Sequence, residues 1–235
     1  MKKLSSNIRR LVKRNEILRN YHTTLFPNGS SGKQFLDLSC GTRTDIREIV
    51  ESTGNVWMGV DQIDFPGVIK ADVHHLPFEQ STFDIVYSAA SFEHYYNPWQ
   101  VAGEVKRVLK PGGIFCGLIA FIQPWHGDSY YHFSHLGTRH MLEKLDMEVL
   151  DIHAGDIHGV SYLIRQMFPS PFAFVGIGLS LFGDTLKLIR KLVFPAVIRI
   201  LYLGNKTRTN EKLSFLNDDH LRFAASIVFL SKKKG

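Results

Sequence analysis

Two stretches of this sequence concentrate side chains able to move protons, ligate metals or stack on a ligand. One is Glu93-His94-Tyr95-Tyr96; the other runs from Gln123 through Trp125, His126, Asp128, Tyr130, Tyr131 and His132 to His135. Imidazole titrates near neutral pH, so a loop histidine is suited to general-base work. His126, Asp128, His132 and His135 offer nitrogen and oxygen ligands, but their spacing matches no helix-borne HExxH pair, and no metal is expected. A third place is the turn Ser39-Cys40-Gly41-Thr42. Glycine at 41 lets backbone approach a ligand closely, and a helix starting near Thr44 offers free N–H groups to a carboxylate or phosphate. Asp61 follows Gly41 by 20 residues, at a strand end where an acid accepts hydrogen bonds from ribose hydroxyls. Cys40 and Cys116 cannot form a disulfide framework and lack zinc-site spacing, so a reducing compartment is the default.

These residues need a frame, and the hydrophobic pattern supplies one. Short apolar runs predict strands over 34–38, 56–60, 68–71, 83–88, 114–120 and 147–152. Helical periodicity predicts helices over 45–52, 98–109 and 138–145, with Val101, Val105, Val108 and Leu109 on one face. Lys110-Pro111-Gly112-Gly113 reads as a helix stop and turn feeding the next strand. The alternation predicts an α/β fold, a mostly parallel sheet with helices on both faces, which binds ligands at the carboxyl ends of its strands where strand order switches.

At 235 residues the chain fits one large domain or a domain with an insertion. Its net charge of +6 is unevenly spread: residues 1–33 carry 8 Lys+Arg against 1 acid, 34–159 carry 8 against 17, and 160–235 carry 12 against 4. Basic flanks on an acidic body suggest an anionic neighbour, membrane or nucleic acid, or simply a solvated surface. Segment 1–33 lacks a continuous apolar export signal and reads as a basic amphipathic helix that packs on the domain or lies on a membrane. Residues 166–183 contain 18 positions without a charge, but prolines and glycines interrupt them, and the uniformly apolar part, 172–182, is too short to cross a bilayer. A basic amphipathic helix pair over 186–203, kinked at Pro195, is expected next. The last strand is expected at 222–231. The domain layout is therefore 1–33, a body of 34–157 with 216–235, and an apolar, basic helical insertion over 158–215.

Four ordered blocks, LDLSCGT, GVD, KADVHHLPFEQSTFDIVYSAASFEHYYNP and EVKRVLKPGGIF, resemble the class I S-adenosylmethionine-dependent methyltransferases of the type 11 domain group. The resemblance covers residues 34–153 and implies a Rossmann-like seven-strand sheet with a reversed last hairpin. It also implies S-adenosyl-L-methionine as cofactor, with Asp37 and Gly41 at its methionine end, Asp61 on the ribose, Asp72 and Val73 at the adenine, and Ser88 and Ala89 along the methionine moiety. The chain departs from the usual Gly-x-Gly-x-Gly pattern at Ser39 and Arg43. Three fates are open to Arg43: swinging outward, pairing with the cofactor carboxylate, or obstructing the pocket.

Methyl transfer from a sulfonium requires positioning of the acceptor and, for a hydroxyl, removal of a proton. The loop from 123 to 135 resembles a block of methyltransferases of polysaccharide and glycan biosynthesis. By that resemblance His126 is the general base, and Tyr130, Tyr131 and His132 shape the acceptor pocket with Glu93. The expected activity is methylation of a small molecule, a sugar or a lipid-linked glycan, at the inner face of a membrane that segment 158–215 touches from the cytoplasm. The alternative is a degenerate module without activity. Nucleic acid is an unlikely partner, because Tyr96-Asn97-Pro98-Trp99 reads as a helix start and not as a base-flipping motif.

Overall fold

A computed structural model describes residues 5–27, 30–43, 45–123, 128–155, 173–217 and 224–235. Seven strands form one sheet in the order β3-β2-β1-β4-β5-β7-β6. In chain order they are β1 (Gln34–Leu38), β2 (Val56–Asp61), β3 (Ile69–Lys70), β4 (Phe83–Ala89), β5 (Leu109–Ala120), β6 (Met147–Ala154) and β7 (Ser226–Lys233). β1 pairs in parallel with β2 and β4, β2 with β3, and β4 with β5. The sheet therefore reverses its order between β1 and β4, the switch point where a crevice opens beyond the strand ends. Phe121 and Ile122 donate backbone bonds to Ala225 and Ala224 in turn, and Ser231 reaches Phe115. The two indices run in opposite directions, so β7 lies antiparallel to β5.

Alternation along the strands builds two cores. Leu36 and Leu38 of β1 and Val86 of β4 face one cluster with Val101 and Val105 of α4 (Pro98–Val108) and Met141 and Leu142 of α5 (His135–Lys144). Phe35, Ile85 and Tyr87 face the other, with Ile46, Ile49 and Val50 of α3 (Asp45–Ser52). The N-terminal segment is two helices, α1 (Ser6–Arg14) and α2 (Glu16–Leu25). Asn15 divides them: its side-chain oxygen accepts from Leu18 N at 2.9 Å while its amide donates to the Tyr87 hydroxyl at 2.9 Å. Ile17, Leu18, Tyr21 and Leu25 of α2 are buried in the second core. That burial is the packing role anticipated as one of two for this basic segment.

Two local expectations change. Leu109 is already strand, and Lys110–Gly113 lies within β5 as an irregularity, because Phe83 pairs with Leu109 but Ile85 with Ile114. Gly112 adopts φ +76°, which only glycine takes at little cost. Between β6 and β7, a single helix α6 (Ala173–Leu201) replaces the expected pair and carries Pro195 inside it, followed by α7 (Lys206–Asn217).

The chain divides into two compact units. One comprises 1–120, 127–153 and 227–235; the other comprises 121–126 and 154–226. The first holds the sheet and the cavity described next.

Candidate functional site

The turn after β1 is shaped by two left-handed residues. Ser39 has φ +51° and Gly41 φ +58°. A serine in this region costs about 1–2 kcal/mol, and its hydroxyl compensates locally by meeting the Tyr95 hydroxyl at 2.8 Å. Gly41 is clasped to the end of β2: its N–H donates to Asp61 Oδ2 at 3.0 Å, while Ile63 N donates to Asp61 Oδ1 at 3.0 Å. Asp61 is buried, and each carboxylate oxygen retains a lone pair beyond the bond it accepts.

Beyond this clasp opens a cavity of about 520 Å³, within the roughly 300–1,000 Å³ of small-molecule and cofactor sites. Ser39, Asp61 and Gln62 form one side, and Asp72, Val73 and His74 line it from the loop after β3. Ala90, Ser91, His94, Tyr95 and Tyr96 line it from the segment after β4, with Asp128 and Tyr130 at the rim. Ala90, like Ser39, is held at positive φ, +52°, so both turns at the switch point carry backbone strain of the kind that collects at ligand sites.

Asp72 is exposed, and its carboxyl lies below the usual range because it accepts the His74 backbone N–H and the His74 ring. The buried His74 ring stacks on Tyr96 with centroids 3.9 Å apart. It thereby fixes the adenine-side candidate Asp72 to the opposite wall of the cavity. Ser88 sits buried behind the wall, its hydroxyl 2.7 Å from that of Ser91. Ala89 is half-buried in the second core.

Asp37 does not reach the cavity, because it is set back within β1, before the strand's end. It shares a face of β1 with Phe35, toward the helices α1 to α3, and its carboxylate accepts from Trp57 Nε1 at 3.3 Å. Burial pushes its pKa up to about 7, against the opposing effect of that bond. Cys40 is likewise held protonated by burial, up to about 12, which removes it as a nucleophile. Arg43 swings outward: its side chain is 58% exposed and lies 3.7 Å from Asp45. It borders a separate cleft of about 120 Å³ with Gly41, Arg47 and Trp57, leaving the larger cavity clear; Gly41 meets that cavity only through its bond to Asp61.

The two acceptor-side stretches come together. Glu93 is fully buried, and its carbonyl accepts from Tyr130 N at 2.7 Å and Tyr131 N at 3.2 Å. Phe133 N donates to Ala120 O at 2.9 Å, closing the base of the same loop. Tyr131 and Trp99 meet edge to face at 5.4 Å, and Tyr96, Trp99, Tyr130 and Tyr131 are all substantially exposed. His132 stands beside them, its ring 3.3 Å from the Ser129 hydroxyl. His126 lies outside the described residues. Gln62, His74, Ala90 and Ser91 carry no expectation from sequence, and all but Gln62 lie inside the blocks already singled out.

Comparison with known proteins bears on the fold. Residues 36–117 match the family model described as a methyltransferase domain. A sterol 24-C-methyltransferase of Schizosaccharomyces pombe is 34% identical over 117 residues, covering 42% of this chain and 31% of that protein. The cycloartenol-C-24-methyltransferase of Arabidopsis thaliana is 29% identical over 120 residues, covering 43% and 36%. The alignments thus span about a third of the length of these relatives. Among solved structures, the Burkholderia thailandensis 1,6-didemethyltoxoflavin-N1-methyltransferase, with bound 1,6-didemethyltoxoflavin and S-adenosylhomocysteine, superposes with a TM-score of 0.54 at 13% identity, covering 97% of this chain and 84% of that one. The fold is the seven-strand, Rossmann-like methyltransferase fold.

Proposed function

We propose that the chain binds S-adenosyl-L-methionine in the cavity at the switch point and methylates an apolar small molecule. The observation that carries this reading is the Gly41–Asp61 clasp, which opens on a cofactor-sized cavity with an aromatic rim. The residues present fit the cofactor. A buried carboxylate with spare acceptor capacity suits ribose hydroxyls, Asp72 with Val73 forms a polar and apolar pair suited to a base, and a Cβ at Gly41 would meet nothing within 4 Å. When bound, the cofactor supplies a methyl group already activated by positive sulfur.

The chain's own residues then hold and orient. In this reading Asp61 fixes the ribose and Asp72 with Val73 the adenine. Gly41, Ser88 and Ala89 shape the methionine end, with Asp37 buried behind it on Trp57. Glu93 anchors the acceptor loop through its carbonyl, so that Tyr130, Tyr131 and His132 set the acceptor's pose. His126 accepts a proton where the acceptor is a hydroxyl. Catalysis is mostly positioning, which can supply several kcal/mol of barrier reduction.

The exposed rings of Tyr96, Trp99, Tyr130 and Tyr131 support an apolar acceptor, as do the sterol substrates in the relatives' names. A lipid-linked sugar is the second reading, favoured by Asp128 and His132 beside those rings. Incubation with methyl-labelled cofactor and a total lipid extract tests both. Label in sterols or other neutral lipids supports the first reading and label in glycolipids the second. Label in neither, with a folded protein that binds no cofactor, would leave a methyltransferase fold without the activity.

A further inference from the structure

We infer that the hairpin of α6 and α7 docks on an anionic lipid bilayer, lying in the headgroup region. The inference stands independently of the proposed methyl transfer.

The C-terminal half of α6 exposes large apolar side chains over a wide face. Leu192 is 69% exposed, Ile200 69% and Leu201 71%, with Phe194 at 48%, and Leu203, just past the helix, is 83% exposed. At 100° per residue, Leu192, Val193, Phe194, Val197, Ile200 and Leu201 span an arc of about 200°, with Arg199 in the remaining gap. Contiguous exposed apolar surface of this kind marks an interaction site. Gly204, at φ +88°, lies in the turn after the helix, and Asn205 starts the next by accepting from Arg208 N at 3.0 Å. The turn places Lys206, Arg208 and Lys212 next to the apolar surface, all exposed, as is Arg199 within α6. Residues 192–217 contain these four cations and one acid, Glu211.

Charge decides among the possible occupants. In a symmetric self-association the same patch meets itself, so Arg199 and the three cations of α7 would face their own copies. A protein partner would have to bury cations interleaved with the apolar residues. A bilayer accommodates both: apolar side chains enter the acyl boundary, while long cationic stems snorkel to anionic headgroups. Among the described residues no helix is long and apolar enough to cross a membrane, so the mode is interfacial.

The test is co-sedimentation of the full chain with phosphatidylcholine vesicles, with and without phosphatidylglycerol. Binding is expected to require the anionic lipid and to fall as salt rises from about 0.1 to about 1 M, where the screening length shrinks from ~10 to ~3 Å. R199Q/K206Q/R208Q/K212Q is expected to weaken binding by up to about 600-fold, because each of the four cations near an anionic surface is worth roughly fivefold. L192S/L201S should weaken it on the anionic vesicles, while leaving the cooperative melting transition of the chain in place, the check that it remains folded. Three results would overturn the inference: no binding to anionic vesicles; binding lost in R9Q/R10Q but kept in the quadruple variant; or a salt-stable dimer whose formation the α6 substitutions abolish.

Discussion

Asp61 and Asp37 share one face of the sheet, since Asp37 pairs with Gly59, two residues before Asp61, yet they behave oppositely, because Asp61 ends β2 at the cavity while Asp37 is set back within β1 against Trp57. Asp61 ties the turn after β1 to the end of β2 by holding Gly41 N and Ile63 N on separate oxygens. Asp61→Ala should therefore weaken S-adenosylhomocysteine binding about 10- to 100-fold, the worth of hydrogen bonds to a charged group, measurable by calorimetry. Asp37 carries a different signature. Burial raises its folded-state pKa to about 7, so between about pH 4 and pH 7 the folded chain holds a proton that the unfolded chain has released. Stability from this group must then fall as pH rises through that window and level off above it. Asp37→Asn removes the titration, and thermal melts of the variant between pH 4 and 8 should lack the part of that decline due to this group. An unchanged slope would mean that the buried acid is not what titrates. Asp61 was legible from its spacing after the turn. The setting of Asp37 was not, since its contact with Trp57 depends on how β1 pairs with β2.

At the scale of elements, two close fits hold the site in place. Asn15 links the N-cap of α2 to the Tyr87 hydroxyl of β4, so Asn15→Ala should cost about 1–3 kcal/mol in denaturant unfolding. Gly117, in β5, has no room for a side chain: a Cβ there would lie 2.5 Å from Ser88 O and 2.7 Å from the Phe229 ring. Gly117→Ala should destabilise by about 1–3 kcal/mol or more through overpacking, and it should loosen β4 just where Ser88 backs the cavity. If its melting temperature matched that of the wild type, the proposed fit of β4, β5 and β7 would be wrong. Strand and helix positions were readable because apolar periodicity is local. The break at Asn15 and the irregular start of β5 were not, since each depends on a partner far away in sequence: Tyr87 for one, and the Phe83–Ile85 pairing for the other.

For the whole molecule, the order of strands places the acids of β2 and the β3 loop opposite the aromatic residues that follow β4 and the acceptor loop. The cavity thus has a polar interior and an aromatic rim. The ordered blocks in sequence indicated this topology, including a returning strand beside β5. They could not indicate which way Arg43 would turn, because an exposed arginine is placed by its neighbours, here Asp45. Its outward course removes the steric objection to cofactor binding. The most direct measurement is calorimetric titration of the purified chain with S-adenosylhomocysteine, with Asp61→Ala in parallel. Saturable one-to-one binding in the micromolar range, lost or strongly weakened in the variant, is the predicted result. No heat of binding from a chain shown by its melting transition to be folded would contradict the cofactor assignment.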